Sequence, residues 1–310
     1  VGRIAFLGTP AVAVPVLRAL ASACVVDAVF CNPDKPKGRG RHLEAPPVKA
    51  CAQELGLAVH QPASWKLPET RALWESLAVD LGIVVAYGHI LPGWMLDSCP
   101  LGVWNLHFSI LPRWRGAAPV NHAILAGDTE TGVSLMGVTR GLDSGPVVAI
   151  RRRPIGNTDT AEGLLGALAD DAAGLLQEHL PHLLAGSAAV TAQEDALATL
   201  APKLNKEMSR LDFTRTAPEL HRQIRALQPW PGVDFLFQDT VVKVCGVGGL
   251  KPSDGAPGTL CWDKAGAWLT AGDGHALELT QLQRAGKPIQ TALQALQPWG
   301  SSGTRALSEA

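Results

Sequence analysis

The chain has 310 residues, 46% of them hydrophobic and 18% charged, with a formal net charge of -1. With a mean hydropathy of +0.11, this composition excludes a disordered polar chain and predicts a globular protein long enough for two domains. No stretch approaches ~18 uninterrupted apolar residues and the chain runs straight into a strand, so neither a membrane span nor a secretory leader is expected and the cytoplasm is the expected location.

Arg3 to Leu7 is a short apolar run ended by Gly8-Thr9-Pro10, the pattern of a buried strand turning into a helix over Ala11 to Ser22. The turn lacks the second and third glycines of the dinucleotide fingerprint, so a nicotinamide cofactor is not expected. Val25 to Cys31 predicts a second strand, Pro47 to Leu55 a helix, Ala58 to His60 a short strand, Glu69 to Leu77 a helix and Leu81 to Ala86 a third apolar strand. Alternation of this kind predicts a doubly wound α/β fold, a mostly parallel sheet covered on both faces.

Asn32 to Arg41 is too rich in Pro and Gly for helix or strand and is expected to be a long loop, made basic by Lys35, Lys37, Arg39 and Arg41. Such a loop fits a phosphate chain or is merely solvated. Further on, Leu101 to Trp104 reads as the end of a buried strand and Pro119 to Ala126 as a helix. Gly132 to Val138 and Pro146 to Ile150 read as strands, and Thr160 to Leu184 as a long helix. The expected organisation is a first domain over 1–186, a linker over 187–208 and a second domain over 209–310. In the last, helix Ala217 to Leu227 precedes short β-like stretches separated by Gly, Asp and Pro, the pattern of a small antiparallel barrel. The polar tail after Trp299 is expected to fray.

The residues that carry chemistry gather in the middle. Asn105 and His107 are two apart, so on a strand both point to one face of the sheet, at the carboxyl end where open α/β sheets bind ligands. A carboxamide N–H can donate to a developing oxyanion and an imidazole can move a proton. Asp143, in Gly141-Leu142-Asp143-Ser144-Gly145, could orient that imidazole. The same residue types also cap loops and turns, and spacing alone leaves both readings open. Ser109 lies two residues from His107 with no Gly-x-Ser-x-Gly elbow, which argues against hydrolase chemistry through it. The six cysteines are scattered without ligand spacing, so no structural metal is expected and they read as small buried hydrophobes. Arg113 and Arg115, Arg151 to Arg153, and Lys203, Lys206 and Arg210 form further basic groups that could track phosphates or pair with carboxylates of the fold.

Asn105-Leu106-His107-Phe108-Ser109-Ile110-Leu111-Pro112-Arg113-Trp114-Arg115-Gly116-Ala117-Ala118-Pro119, followed by Gly141-Leu142-Asp143-Ser144-Gly145-Pro146, resembles the formyltransferases that use 10-formyltetrahydrofolate. The likeness extends to Phe6-Leu7-Gly8-Thr9-Pro10, the Asn32 to Gly40 segment, Val84-Val85-Ala86-Tyr87-Gly88 and Pro229-Trp230-Pro231, in family order. It implies a Rossmann-like catalytic domain followed by a barrel resembling the OB fold, with Asn105, His107 and Asp143 as the catalytic trio. It implies a folate pocket formed by Val85, Ala86, Tyr87, Gly88, Ser109, Leu111, Pro112, Gly141 and Leu142, with no metal. The resemblance further implies that the acceptor is an initiator methionyl-tRNA, held by Lys35, Lys37, Arg39 and Arg41, and a monomer is expected. Departures are Val138-Thr139-Arg140 ahead of Gly141, where an acidic residue is usual, Ser144 in place of threonine, and the bulky Phe108. Rival readings are formyl transfer to a nucleotide-linked amino sugar or to glycinamide ribonucleotide, and a tRNA-binding module without chemistry.

Overall fold

The computed structural model describes residues 2–37 and 42–307, so Arg39 and Arg41 lie outside the described residues. Contacts divide the chain into two compact units. The first comprises Val1–Pro119, Glu130–Arg153 and Leu165–Ala201, the second Val120–Thr129, Pro154–Leu164 and Pro202–Ala310.

In the first unit β1 (Ile4–Gly8) is buried at every position. Successive side chains of a strand point to opposite faces, so both faces of its sheet must be covered. A 3-10 turn at Ala11–Ala13 leads into α1 (Val14–Ala23), which buries Val16, Leu17 and Leu20. Next come β2 (Ala28–Phe30), β3 (Lys35–Lys37), β4 (His42–Glu44), α2 (Pro47–Glu54), β5 (Val59–His60) and α3 (Pro68–Leu77). They are followed by β6 (Leu81–Val85), a five-residue helix α4 (Gly93–Asp97), β7 (Val103–His107) and the short β8 (Arg115–Gly116). After α5 (Pro119–Ala126), which from Val120 on belongs to the second unit, β9 (Glu130–Gly137) and β10 (Val147–Pro154) complete a seven-stranded sheet ordered β10-β9-β7-β6-β1-β2-β5. The strands from β5 to β7 are parallel, and β9 runs antiparallel to β7. One face packs Ala5, Leu7, Ala28 and Phe30 against Trp65, Trp74 and Met95.

Two expectations for this region are corrected. The basic segment is not a loop throughout: β3 and β4 pair as an antiparallel ribbon, Lys35 with Glu44 and Lys37 with His42. A two-stranded ribbon has outward-facing edges, so Pro36 is tolerated where a central strand would reject it. Residues of the expected linker also have fixed partners, because β11 (Leu200–Ala201) runs parallel to β8. The 24-residue α6 (Ala161–Leu184) precedes it.

In the second unit, α7 (Ala217–Ala226) starts with a reciprocal capping box in which the Thr216 hydroxyl accepts from Glu219 N–H and the Glu219 carboxylate accepts from Thr216 N–H. The bonds from Thr216 and Arg215 hold the Glu219 carboxyl down at about 2. Then follow β12 (Val233–Phe237), β13 (Thr240–Pro252), β14 (Thr259–Asp263), β15 (Gly266–Thr270), β16 (His275–Arg284), β17 (Gln290–Thr291), α8 (Ala292–Leu296) and β18 (Gly303–Ala306). The sheet order is β12-β13-β16-β15-β14-β18, with β17 added to β16. Register shifts between Val244 and Leu250 in the glycine-rich part of β13 curl it into a half-barrel. Part of the polar tail expected to fray is ordered: β18 closes the exposed edge of β14 through backbone bonds, which need no apolar side chains, whereas residues 308–310 lie outside the described residues. No helix among the described residues is long and apolar enough to cross a membrane.

Candidate active site

At the carboxyl ends of β6 and β7 lies a cavity of about 520 Å³ whose walls include Asn105, His107 and Asp143. That volume falls within the range of about 300–1,000 Å³ usual for small-molecule sites. Register explains the pairing of the first two residues. Asn105 lies opposite Val84 and Met136, His107 lies opposite Ser134, and Leu106 between them is buried on the other face.

His107 is 6% exposed, and its Nε2 lies 2.9 Å from the carbonyl oxygen of Trp114. A carbonyl only accepts, so Nε2 carries the hydrogen and Nδ1 is the nitrogen left for proton transfer. Trp114 adopts a left-handed φ of 65°, a conformation rare for a bulky residue. It is held there by a bond from its N–H to the Thr199 hydroxyl, 2.9 Å away.

Asp143 arrives from the turn between β9 and β10. Its Oδ2 accepts from Gly116 N–H at 2.9 Å and lies 3.7 Å from His107 Nδ1. Asp143 has a φ of 45°, which a short polar residue tolerates. Gly145 can only be glycine, since a Cβ there would sit on the carbonyl oxygen of Gly137. Gly116 N–H is aimed by the pairing of β8 with β11, and a Cβ on Gly116 would meet the carbonyl oxygen of Ala201 at 2.5 Å.

The opposite wall is Ala86, Tyr87, Gly88, His89, Ile90 and Leu91. Ala86 and Gly88 both have positive φ, 46° and 85°. Tyr87 is 2% exposed, its ring packs near Trp65 and His89, and its buried hydroxyl, close to the Trp65 indole, makes no well-formed hydrogen bond among the described residues. Burial pushes that hydroxyl's pKa up, so it stays neutral.

Of the residues expected at the folate site, Ala86, Tyr87, Gly88, Gly141 and Leu142 line the cavity, whereas Val85, Ser109, Leu111 and Pro112 are not on its walls. Val85 is fully buried in β6. Ser109, also fully buried, donates its hydroxyl to Arg113 O at 2.6 Å. It closes the 109–113 loop from inside. Leu111 N–H is held by the Ser134 hydroxyl. His89, Thr139 and Arg140 line the cavity but escaped the sequence reading. They sit in loops next to the motifs, and proximity to Gly88 and Gly141 is the signal that could have found them.

The basic groups divide. Arg151, Arg152 and Arg153 pair with Glu178, Glu130 and Asp171, and Arg115 with Asp195. These arginines are thus engaged by carboxylates of the fold. Asp34, at the base of the β3–β4 ribbon, is held below the usual carboxylate range by hydrogen bonds from Lys49 and Gln61. Among the described residues no three His, Cys, Asp or Glu side chains gather as metal ligands. Cys31, Cys51 and Cys99 are buried, whereas Cys24, Cys245 and Cys261 are only partly so.

Residues 2–180 match the family described as Formyl transferase, and residues 203–298 match Formyl transferase, C-terminal domain. The chain belongs to the formyl transferase family. Among curated relatives, this formyltransferase is 45% identical over 297 residues to the methionyl-tRNA formyltransferase of Halorhodospira halophila, covering 95% of each chain. It is 46% identical over 290 residues to that of Ectopseudomonas mendocina, covering 93% of this chain and 92% of the relative. Its fold is similar to the N-formyltransferase from Helicobacter canadensis, solved with folinic acid and dTDP-3-aminofucose, at a TM-score of 0.70 and 18% identity over 92% of this chain and all of the other.

Proposed function

We infer that this formyltransferase moves the formyl group of 10-formyltetrahydrofolate onto the α-amino group of methionine esterified to an initiator tRNA. The observation that carries the reading is the meeting of Asn105, His107 and Asp143 on one cavity in a chain whose curated relatives bear the corresponding name over nearly their whole length. Transfer to a nucleotide-linked amino sugar, the acceptor class suggested by the bound ligand of the Helicobacter canadensis protein, is the second reading. The 18% identity there, against 45% to the tRNA-modifying relatives, favours the first.

As the amine adds to the formyl carbon, the Asn105 amide donates to the oxygen that becomes negative. His107 Nδ1 takes the proton from the amine and returns it to the leaving nitrogen, while Asp143, 3.7 Å away, offsets the imidazolium charge. Holding both substrates together supplies the rest, with no covalent intermediate on the chain. The pteridine portion of the folate would lie along Ala86 to Gly88 and Gly141 to Leu142, contacting mainly backbone.

The β3–β4 ribbon supplies Lys35, and Lys37, Arg39 and Arg41 share its sequence, a concentration of positive charge suited to the tRNA phosphates. The enzyme would act as a monomer and, as an enzyme of translation initiation, in the cytoplasm.

The test is to offer formyl folate with methionyl-tRNA, a nucleotide amino sugar or glycinamide ribonucleotide in turn. Formylation of methionyl-tRNA is expected; exclusive formylation of either other amine would replace the reading. Reversing charge at Lys35 should weaken tRNA use most at low salt, with the gap to wild type narrowing as salt rises, and leave donor hydrolysis in the absence of tRNA unchanged.

A further inference from the structure

The segment after α6 has no helical or strand periodicity, yet it ties together the two loops that carry the site. Thr191 exchanges a pair of backbone bonds with Val147 at the start of β10. Thr199 and Ala201 receive the backbone N–H groups of Arg115 and Ala117. Gln193, between these anchors, reaches both loops with one carboxamide.

Its Nε2 donates to the carbonyl oxygens of Asp143 at 2.9 Å and Gly145 at 2.7 Å. Its Oε1 accepts from Arg115 Nε at 3.0 Å and Nη2 at 2.9 Å. The orientation of the amide has only one solution, because a guanidinium only donates and a carbonyl only accepts. Arg115 is 8% exposed and is fixed in turn by Asp195 at 2.8 Å. Every hydrogen-bonding atom of the Gln193 head group is therefore engaged, two hydrogens on the Asp143 turn and the oxygen on the residue next to Gly116.

Asp143 needs this support. Its left-handed backbone is an unfavoured state for a residue with a side chain, and such states persist where the surroundings over-determine them. Among the described residues the carboxylate has one hydrogen bond of its own to aim it, from Gly116 N–H. The backbone that carries it is fixed by Gln193.

We propose that Gln193 is a positioning residue for Asp143, holding the turn so that the carboxylate faces Gly116 N–H and His107 Nδ1. Its effect on turnover rests on the formyl-transfer reading; its effect on the placement of Asp143 does not.

Gln193→Glu separates the two sides of the amide. The carboxylate keeps an acceptor for Arg115 but sets a negative charge against two carbonyl oxygens. In the full-length protein kcat should fall about a hundredfold, the scale of a 1 Å misplacement, while KM for the formyl donor stays within about threefold. Hydrogen exchange at the Gly116 amide should accelerate about tenfold or more, with the amides of β1 and β6 unchanged. Gln193→Ala, which removes both sides of the amide without adding charge, should show the same local acceleration and serves if the Glu variant does not fold. Glu194→Gln, at the exposed neighbouring position, should match wild type in both readouts.

The proposal is overturned if Gln193→Glu keeps kcat within about twofold of wild type, if the Gly116 amide exchanges at its wild-type rate, or if exchange accelerates equally throughout β1 and β6, the mark of general loosening. Should the wild-type protein formylate none of the offered amines, the functional reading falls, and Gly116 exchange still decides whether Gln193 holds Asp143.

Discussion

The two walls of the cavity are built on opposite principles. On the β7 side the polar groups are tied: His107 to the Trp114 carbonyl, Asp143 to Gly116 N–H, and the Asp143 turn to Gln193. On the β6 side the wall is a backbone shape, with left-handed turns at Ala86 and Gly88 and a Tyr87 hydroxyl that makes no well-formed hydrogen bond among the described residues. A group that must act on developing charge gains from being fixed in advance, since no reorganisation is then needed at the moment of reaction. A flat ring needs only a surface of the right outline. On the proposed function the difference would give chemistry to one wall and recognition to the other, so substitutions on the first should lower kcat and those on the second should raise KM.

The strongest challenge to this division is His107→Ala. Loss of an acid–base group costs about 10²–10⁴ in rate, and KM for the formyl donor should change little. Asn105→Ala should follow, at about 2.7–4 kcal/mol of transition-state stabilisation for a lost oxyanion donor. Asn105 makes no side-chain hydrogen bond within the described residues, so its removal leaves no buried partner unmatched and the melting temperature should hold. Steady-state kinetics on folded variants check both. If either variant raised KM a hundredfold and spared kcat, the assignment of the walls would be reversed.

How much of this arrangement was legible before the structure depended on whether a feature announces itself through side chains. β1 and β6 are continuous apolar runs because both faces are buried, and α5 ends where its sequence pattern ends. Asn105 and His107 share a face because a strand repeats every two residues. The β3–β4 ribbon, β11 and β18 were missed for one common reason: their pairing is carried by backbone groups, and the side chains are charged, small or exposed. In the 13-residue β13 the sequence alternates legibly only from Val241 to Val244, since its glycine-rich continuation bends through bulges that break the alternation. Gln193 was invisible for a further reason, as its partners are main-chain oxygens 48 and 50 residues away.

On the recognition wall a smaller effect is expected, and its sign depends on the residue introduced. Ala86 has a φ of 46°, a region that costs a residue with a Cβ roughly 1–2 kcal/mol. Ala86→Gly should relieve part of that cost and raise the melting temperature, whereas Ala86→Val, with a β-branch, should lower it. If the wall works through shape, Ala86→Val should also raise KM for the formyl donor with kcat nearly constant. Calorimetry and initial rates separate the two effects. A Val variant with wild-type KM and reduced kcat would show that the Ala86 turn serves the reacting groups rather than the ring.

The smallest effect sharpens the comparison furthest. Tyr87→Phe keeps the ring and its packing near Trp65 and His89 while deleting a buried hydroxyl that makes no well-formed hydrogen bond among the described residues. An unmatched buried polar group costs about 1–3 kcal/mol of desolvation, so deleting it should leave the melting temperature unchanged or raise it. Folate affinity should remain within about twofold of wild type, because a factor of two is worth only about 0.4 kcal/mol, less than a lost hydrogen bond. Titration of the folate into both proteins checks this. A tenfold loss of affinity would mean that the hydroxyl donates to the bound ligand, and the β6 wall would then recognise its ring through a placed polar group, as the β7 wall does its chemistry.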